Sequence, residues 1–282
     1  MYDLNGKVAI VTGAGGKNGI GRAIATRLAA EGADVVVTDI SQSVEAIREV
    51  DMRDGWEGLP SVVKEIEAMG RQSLGLFSDV SDSAQVDGML ESVLDHFGKV
   101  DILVNNAGSR PGKDRVPVIE LEEEAFDEVM RVNVRGTYLC SRALARHMVE
   151  RGNGGKIISI SSGAGKKGIA RYAAYCASKF AIVGFTQALA QELASDKINV
   201  NAICPGLVDT ERVDFIASAL APEGESSEEH RAMMIRERNL RVPMGRVAVG
   251  EDIANMAAFL ASNQSDYVTG LSISVSGGSE MN

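Results

Sequence analysis

Seven short runs of aliphatic residues, separated by longer stretches of helical periodicity, leave this chain few ways to fold. The runs are 8–11, 35–37, 73–77, 102–104, 157–160, 198–203 and 271–275, and helical patterns lie near 20–31, 83–97, 122–150, 172–195 and 251–261. Strands this apolar are buried on both faces, and their alternation with helices predicts a parallel sheet covered on both sides. Right-handed crossovers then give a doubly wound α/β fold of seven strands. No repeat, low-complexity tract or linker divides the 282 residues, so one domain over 1–282 is expected. Two segments exceed a simple connection. In 41–70 the stretch Arg53 to Pro60, with Trp56 at its centre, interrupts what would otherwise be one helix. Residues 206–250 mix helical pieces with Gly, Pro and dense charge. The second follows a strand's C-terminal end, where such sheets bind ligands, and is read as a substrate lid.

A formal charge of −10 leaves no basic stripe for nucleic acid. No apolar run approaches the ~20 residues of a membrane span, and the first residues lack a signal peptide's apolar region. Cys140, Cys176 and Cys204 have no metal-ligand spacing. They read as reduced thiols of a cytoplasmic protein with no metal, and Cys176 as a packing residue.

The first strand runs into Thr12-Gly13-Ala14-Gly15-Gly16-Lys17-Asn18-Gly19-Ile20-Gly21 and then a helix. Glycines between a strand and a helix let the backbone approach a pyrophosphate, whose charge the helix N-terminus attracts. Asp39 ends the next strand, eighteen residues beyond Gly21. A carboxylate there can bond both ribose hydroxyls of NAD and would repel the extra phosphate of NADP. Ile40 follows where a basic residue would have suggested NADP, so NAD is the expected cofactor. Lys17 is a cation near enough in sequence to the phosphates to help either dinucleotide.

Tyr175 and Lys179 stand four apart on a helix and project from the same face. A phenol ionises near ~10, and an adjacent ammonium favours the phenolate. Ser162, thirteen positions upstream, could hold a carbonyl or alcohol oxygen while a proton moves. With a hydride carrier nearby, this set interconverts an alcohol and a ketone.

Taken together, these motifs resemble the short-chain dehydrogenase/reductase family of the single-domain type, from about Lys7 to Gly278. Thr12-Gly13 with Gly19-Ile20-Gly21 resembles the family's cofactor turn, Asp79-Val80 the pair against adenine, and Asn105-Asn106-Ala107-Gly108 the segment beside the central sheet. Pro205-Gly206 with Thr210 resembles the turn that holds the nicotinamide carboxamide. Asn133, Ser162, Tyr175 and Lys179 match the catalytic four in order. The resemblance implies an NAD(P)-binding Rossmann domain. Its cofactor residues would be Gly13, Asn18, Gly19, Ile20, Asp39, Ile40, Asp79, Val80, Asn106, Ala107, Gly108, Tyr175, Lys179, Pro205, Gly206, Val208 and Thr210. Tyr175 would be the general acid/base and Lys179 would bond the nicotinamide ribose. Asn133 would hold a relay water. One departure stands out: five residues separate Gly13 from Gly19 where the family usually has three, so part of 15–18 should bulge over the pyrophosphate or the adenine-ribose. The longer Trp56 region is read as surface padding rather than a cover for the adenine end.

The substrate is less legible. Arg110, Lys113, Lys166, Lys167, Arg171, Arg231, Arg236, Arg238 and Arg241 fall in segments expected to face it. They could steer an anion. Pairing with Glu225, Glu228, Glu229 and Glu237 as solvated surface charge is the favoured reading. Met233-Met234 with Ile235 could line the lid or pack it. Oxidation of a secondary alcohol by NAD is the expected activity, with reduction of a 3-oxoacyl thioester as the alternative and a non-catalytic cofactor-binding regulator a more distant one. The partner is then a small alcohol or ketone. The resemblance also implies a homotetramer, and Ala181-Ile182-Val183, Phe185 and Ala188-Leu189 leave more apolar surface on their helix than one sheet face needs.

Overall fold

Successive side chains of a strand point to opposite faces, and in this chain that alternation sorts the core into two layers. The computed structural model describes residues 2–40, 54–222 and 224–281. Its strands are β1 (Val8–Thr12), β2 (Asp34–Asp39), β3 (Ser73–Phe77), β4 (Ile102–Asn105), β5 (Gly155–Ile160), β6 (Ile198–Pro205) and β7 (Ser272–Val275). All seven pair in parallel in the order β3-β2-β1-β4-β5-β6-β7. Ala9, Val11, Val35, Val37, Ile102, Val104, Ile158 and Ile160 face one layer, built with α1 (Ile20–Ala30), α2 (Leu59–Ala68) and the helix Gly250–Ala261. Val8, Ile10, Val36, Leu103, Ile157 and Val200 face the other. That layer is closed by α3 (Ser83–Phe97), a long helix over 123–151, and α6 (Ala173–Leu193).

The seven strands, the single sheet and the Rossmann order agree with the sequence reading. The helix expected over 122–150 is instead three pieces: α4 (Glu123–Met130), a π-helical turn Arg131–Arg135, and α5 (Gly136–Arg151). In the 41–70 segment, α2 begins after Gly58, whose φ of +74° suits glycine alone, with Pro60 in its first turn. The proposed first half of that helix lies outside the described residues. The 206–250 segment holds two packed helices, α7 (Glu211–Leu220) and α8 (Ser227–Arg241), the latter begun by a Ser226–Glu229 capping box. Gly250–Ala261 is α9.

β1 and β4 are sequential neighbours in space but not in the chain, so the crossovers leave on opposite sides and a crevice opens between their C-terminal ends. Thr12 and Asn106 stitch its floor. The Thr12 hydroxyl accepts from the amides of Asn106 and Ala107, both at 3.1 Å, while the Asn106 Nδ2 donates to the carbonyls of Thr12 and Gly13. Among the described residues no helix is long and apolar enough to cross a membrane, and the three cysteines are free and buried.

Candidate active site

A cleft of about 1380 Å³ lies along these strand tips. All but two of the expected site residues line it; the exceptions are Asn18 and Asn133. One end is shaped by glycines. Gly13 has φ +67°, and a Cβ there would sit 2.7 Å from the Ala107 Cα. A Cβ on Gly21 would fall 2.4 Å from the Gly13 carbonyl oxygen. No side chain caps α1, whose N-cap is Gly19, so its first amides are left for an anion. The glycine cradle, the uncapped helix and the carboxylate at the end of β2 fit a dinucleotide.

The lengthened glycine turn is held from the side. The Asp39 carboxylate accepts from the Gly15 amide at 2.8 Å and from the Ile40 amide at 2.9 Å. Desolvation is the largest influence on Asp39 and holds its carboxyl above the usual range. Trp56 is buried and its indole N–H donates to the Gly15 carbonyl at 3.0 Å, with the Arg22 guanidinium over its ring. Trp56 is therefore a bolt on the inserted turn, not surface padding. Lys17 reaches Asp54 at 2.7 Å instead of the cleft, and the Asn18 amide is taken by Glu211 of α7. The insertion bulges toward the Trp56 segment and α7.

Asp79 accepts from the Ser81 amide and hydroxyl and pairs with Arg131 at 3.0 Å. Burial opposes its ionisation, but these partners outweigh it and lower the pKa.

The other end of the cleft carries the ionisable set. Ser162 follows β5, and its hydroxyl accepts from the Ala164 amide at 3.1 Å and is hydrogen-bonded to Tyr175. One turn along α6 the Lys179 ammonium donates to the Ile160 carbonyl at 2.8 Å and lies 5.6 Å from the Tyr175 ring centre. Desolvation is the largest influence on Tyr175 and pushes its phenol up. Arg212, then Lys179, the Ser162 bond and Arg115 together overcome it, leaving the phenol below its ordinary value. Lys179 is itself lowered, chiefly by burial.

Asn133 sits in the π-turn, fully buried. Its Oδ1 accepts from the Ser109 amide at 2.8 Å and its Nδ2 donates to the Ser178 hydroxyl at 3.0 Å. Its carbonyl accepts from the Thr137 hydroxyl at 2.7 Å. The side chain thus braces the loop after β4 against α6.

Arg212 and Arg115 were not among the expected residues. Arg212 lies in the first turn of α7, 5.2 Å from the Tyr175 ring centre, and donates to the Ser109 carbonyl at 2.9 Å. Arg115 is 1% exposed, pairs with Asp114, and lies 4.2 and 4.7 Å from the rings of Tyr172 and Tyr175. Arg212 carried one readable signal, since a cation in a helix's first turn opposes the helix dipole and needs another reason to be there.

A dinucleotide crevice beside a phenol, an ammonium and a hydroxyl defines a nicotinamide-dependent oxidoreductase that interconverts alcohols and ketones. The chain belongs to the short-chain dehydrogenase/reductase family. The model of a family described as Enoyl-(Acyl carrier protein) reductase matches residues 13–280. The chain is 40% identical over 274 residues to a short-chain dehydrogenase/reductase of Armillaria gallica, covering 97% of this chain and 95% of that one. It is 37% identical over 283 residues to a sorbitol dehydrogenase of Cereibacter sphaeroides, covering 99% of both. A solved NAD+-bound xylitol dehydrogenase superposes with a TM-score of 0.81 at 32% identity, covering 98% of this chain and 99% of that one.

Gly21→Ala forces its methyl into the Gly13 carbonyl. The expected cost is about 1–3 kcal/mol in stability and a rise of roughly tenfold or more in the dinucleotide Kd, read by thermal unfolding and by calorimetry. Unchanged dinucleotide affinity would show that the turn does not hold the cofactor.

Proposed function

We propose that the protein is an NAD-dependent dehydrogenase of a small, hydroxylated secondary alcohol. The observation that carries this is Tyr175, hydrogen-bonded to Ser162 and acidified by cations against its own burial. In alcohol oxidation the Tyr175 oxygen takes the hydroxyl proton while the Ser162 hydroxyl orients the substrate oxygen; in ketone reduction the phenol returns that proton. A nicotinamide bound in the cleft supplies the hydride acceptor or donor. Lys179, fixed by the Ile160 carbonyl, keeps positive charge beside the phenol and is the candidate partner of the nicotinamide ribose. Asn133 keeps α6 and the loop after β4 in register and offers its carbonyl to a relay water.

Asp39 supports NAD over NADP. It ends β2 with its carboxylate held in place by two backbone amides, and Ile40 beside it offers no cation to a further phosphate. Gly13, Gly19 and Ile20 would cradle the pyrophosphate, Asp79 and Val80 the adenine, and Pro205, Gly206, Val208 and Thr210 the carboxamide. The names of the sorbitol and xylitol dehydrogenases above support an alcohol over an acyl thioester. α7 and α8 serve as the lid: Ile216 and Met234 put apolar surface on the cleft. A homotetramer is supported by Phe126, Tyr138 and Phe180, which leave 37–46% of their surface exposed on α4, α5 and α6. Buried reduced thiols support a cytoplasmic setting.

Tyr175→Phe is expected to keep NAD affinity and lose roughly 10²–10⁴-fold in turnover. Near-normal turnover on a panel of secondary alcohols would remove Tyr175 from the mechanism. Asp39→Ala should weaken NAD roughly tenfold and improve NADP; an unchanged ratio of the two kcat/KM values would overturn the NAD assignment.

A further inference from the structure

Three of the nine cations singled out in the sequence have carboxylate partners, and Arg110 lies over the Phe215 ring instead. Arg231 pairs with Asp209 and Asp214, Lys167 with Glu280 at 2.5 Å, and Arg241 lies 3.6 Å from Glu237. These are surface and lid charges answered by carboxylates, though mostly not the ones expected. Arg212 is different. It is half-buried on the cleft wall, stands at the unfavourable end of a helix dipole, and has no carboxylate partner among the described residues. Among the described residues its one hydrogen bond is to a neutral carbonyl, which uses a single donor of five.

Arg115 makes the imbalance larger. It lines the same wall with its side chain 1% exposed, and its Nε has no hydrogen-bond partner. Arg212 lies close enough to disfavour the charge of Arg115, and Asp114 is the one carboxylate among the described residues paired with either. Two guanidinium groups facing one tyrosine ring, with one carboxylate between them, leave a net positive charge at the reacting end of the cleft. A protein of net charge −10 has many carboxylates, and none among the described residues is paired with Arg212.

Position then limits what could answer that charge. The substrate's reacting oxygen meets Ser162 and Tyr175, and the Arg212 guanidinium is 5.2 Å from the ring of the same tyrosine. A group within a few carbons of the reacting carbon comes within its reach. A guanidinium presents a planar fork that matches a carboxylate with two parallel bonds. We propose that the substrate is a compact secondary hydroxy acid, with its keto acid as product, whose carboxylate is bound by Arg212 while Arg115 supplies positive charge from behind. The inference rests on the dehydrogenase reading above and narrows its substrate class.

The test separates binding from turnover. In the Tyr175→Phe protein loaded with NAD, calorimetry compares D-gluconate with D-sorbitol and racemic 3-hydroxybutyrate with 1,3-butanediol. At least one acid should bind roughly tenfold or more tighter than its neutral partner. Arg212→Gln in the same background should abolish that preference, and Arg212→Lys should keep part of it, which distinguishes lost charge from a misfolded lid. Equal binding of acids and neutral partners overturns the proposal, as does an acid preference that survives Arg212→Gln. Tighter binding of D-sorbitol 6-phosphate than of either acid would assign the site to phosphate instead of carboxylate. In the wild-type enzyme the same panel is followed by NADH formation. Turnover without any acid preference leaves the dehydrogenase standing and removes only the carboxylate. Acid binding without turnover of any member counts against the dehydrogenase reading alone.

Discussion

Burying a phenol makes it a weaker acid, and everything the cleft does depends on reversing that. Desolvation acts on Tyr175 more strongly than any single neighbour. Lys179 alone does not settle the balance, because burial also weakens its own hold on a proton. Arg212 is the largest opposing influence, ahead of Lys179, the Ser162 bond and Arg115. An arginine keeps its charge at any working pH, so it is a steadier source of field than a buried amine. The phenol is therefore set by a residue of α7 as well as by its helix neighbour.

The fold explains how such distant positions meet. Parallel strands all end on one edge, and the reversal of winding between β1 and β4 opens that edge into a crevice. Ser162 arrives from the tip of β5, Tyr175 and Lys179 from α6, and Arg212 from α7 just beyond β6. Asn133 holds the assembly from behind, its amide bridging the Ser109 backbone and Ser178 while the π-turn interrupts the helix around it. Ser109 is shared: its amide binds Asn133 and its carbonyl binds Arg212. Arg212 and the bracing asparagine are thus linked through one residue.

What could be read from the chain was whatever depends on local periodicity and backbone sterics. The strand at Val35-Val36-Val37, the glycine cradle, the acid at Asp39 and the Tyr175–Lys179 pair all follow from residue type and spacing. The π-turn did not, because one extra residue in a long helical pattern barely disturbs its apolar phase. Nor did the behaviour of the lengthened glycine turn. Its path is decided by Trp56 and Asp54, some forty residues away, and Lys17 therefore leaves the phosphates for Asp54. Arg115 and Arg212 sit among many charged residues, and only tertiary packing shows which cations meet a carboxylate. Relatives named as alcohol dehydrogenases define the reaction class.

The claim that cations of α7 and α6 jointly ionise Tyr175 is tested most directly by the pH dependence of kcat/KM for alcohol oxidation, measured on wild type and on Arg212→Gln. Oxidation needs the phenolate, so the rate should rise with pH to a plateau, with a midpoint below the ordinary phenol value of ~10. Removing Arg212 takes away the largest influence favouring the phenolate, and the midpoint should move upward. A wild-type midpoint at or above the ordinary phenol value, or one that Arg212→Gln leaves in place, would contradict the account.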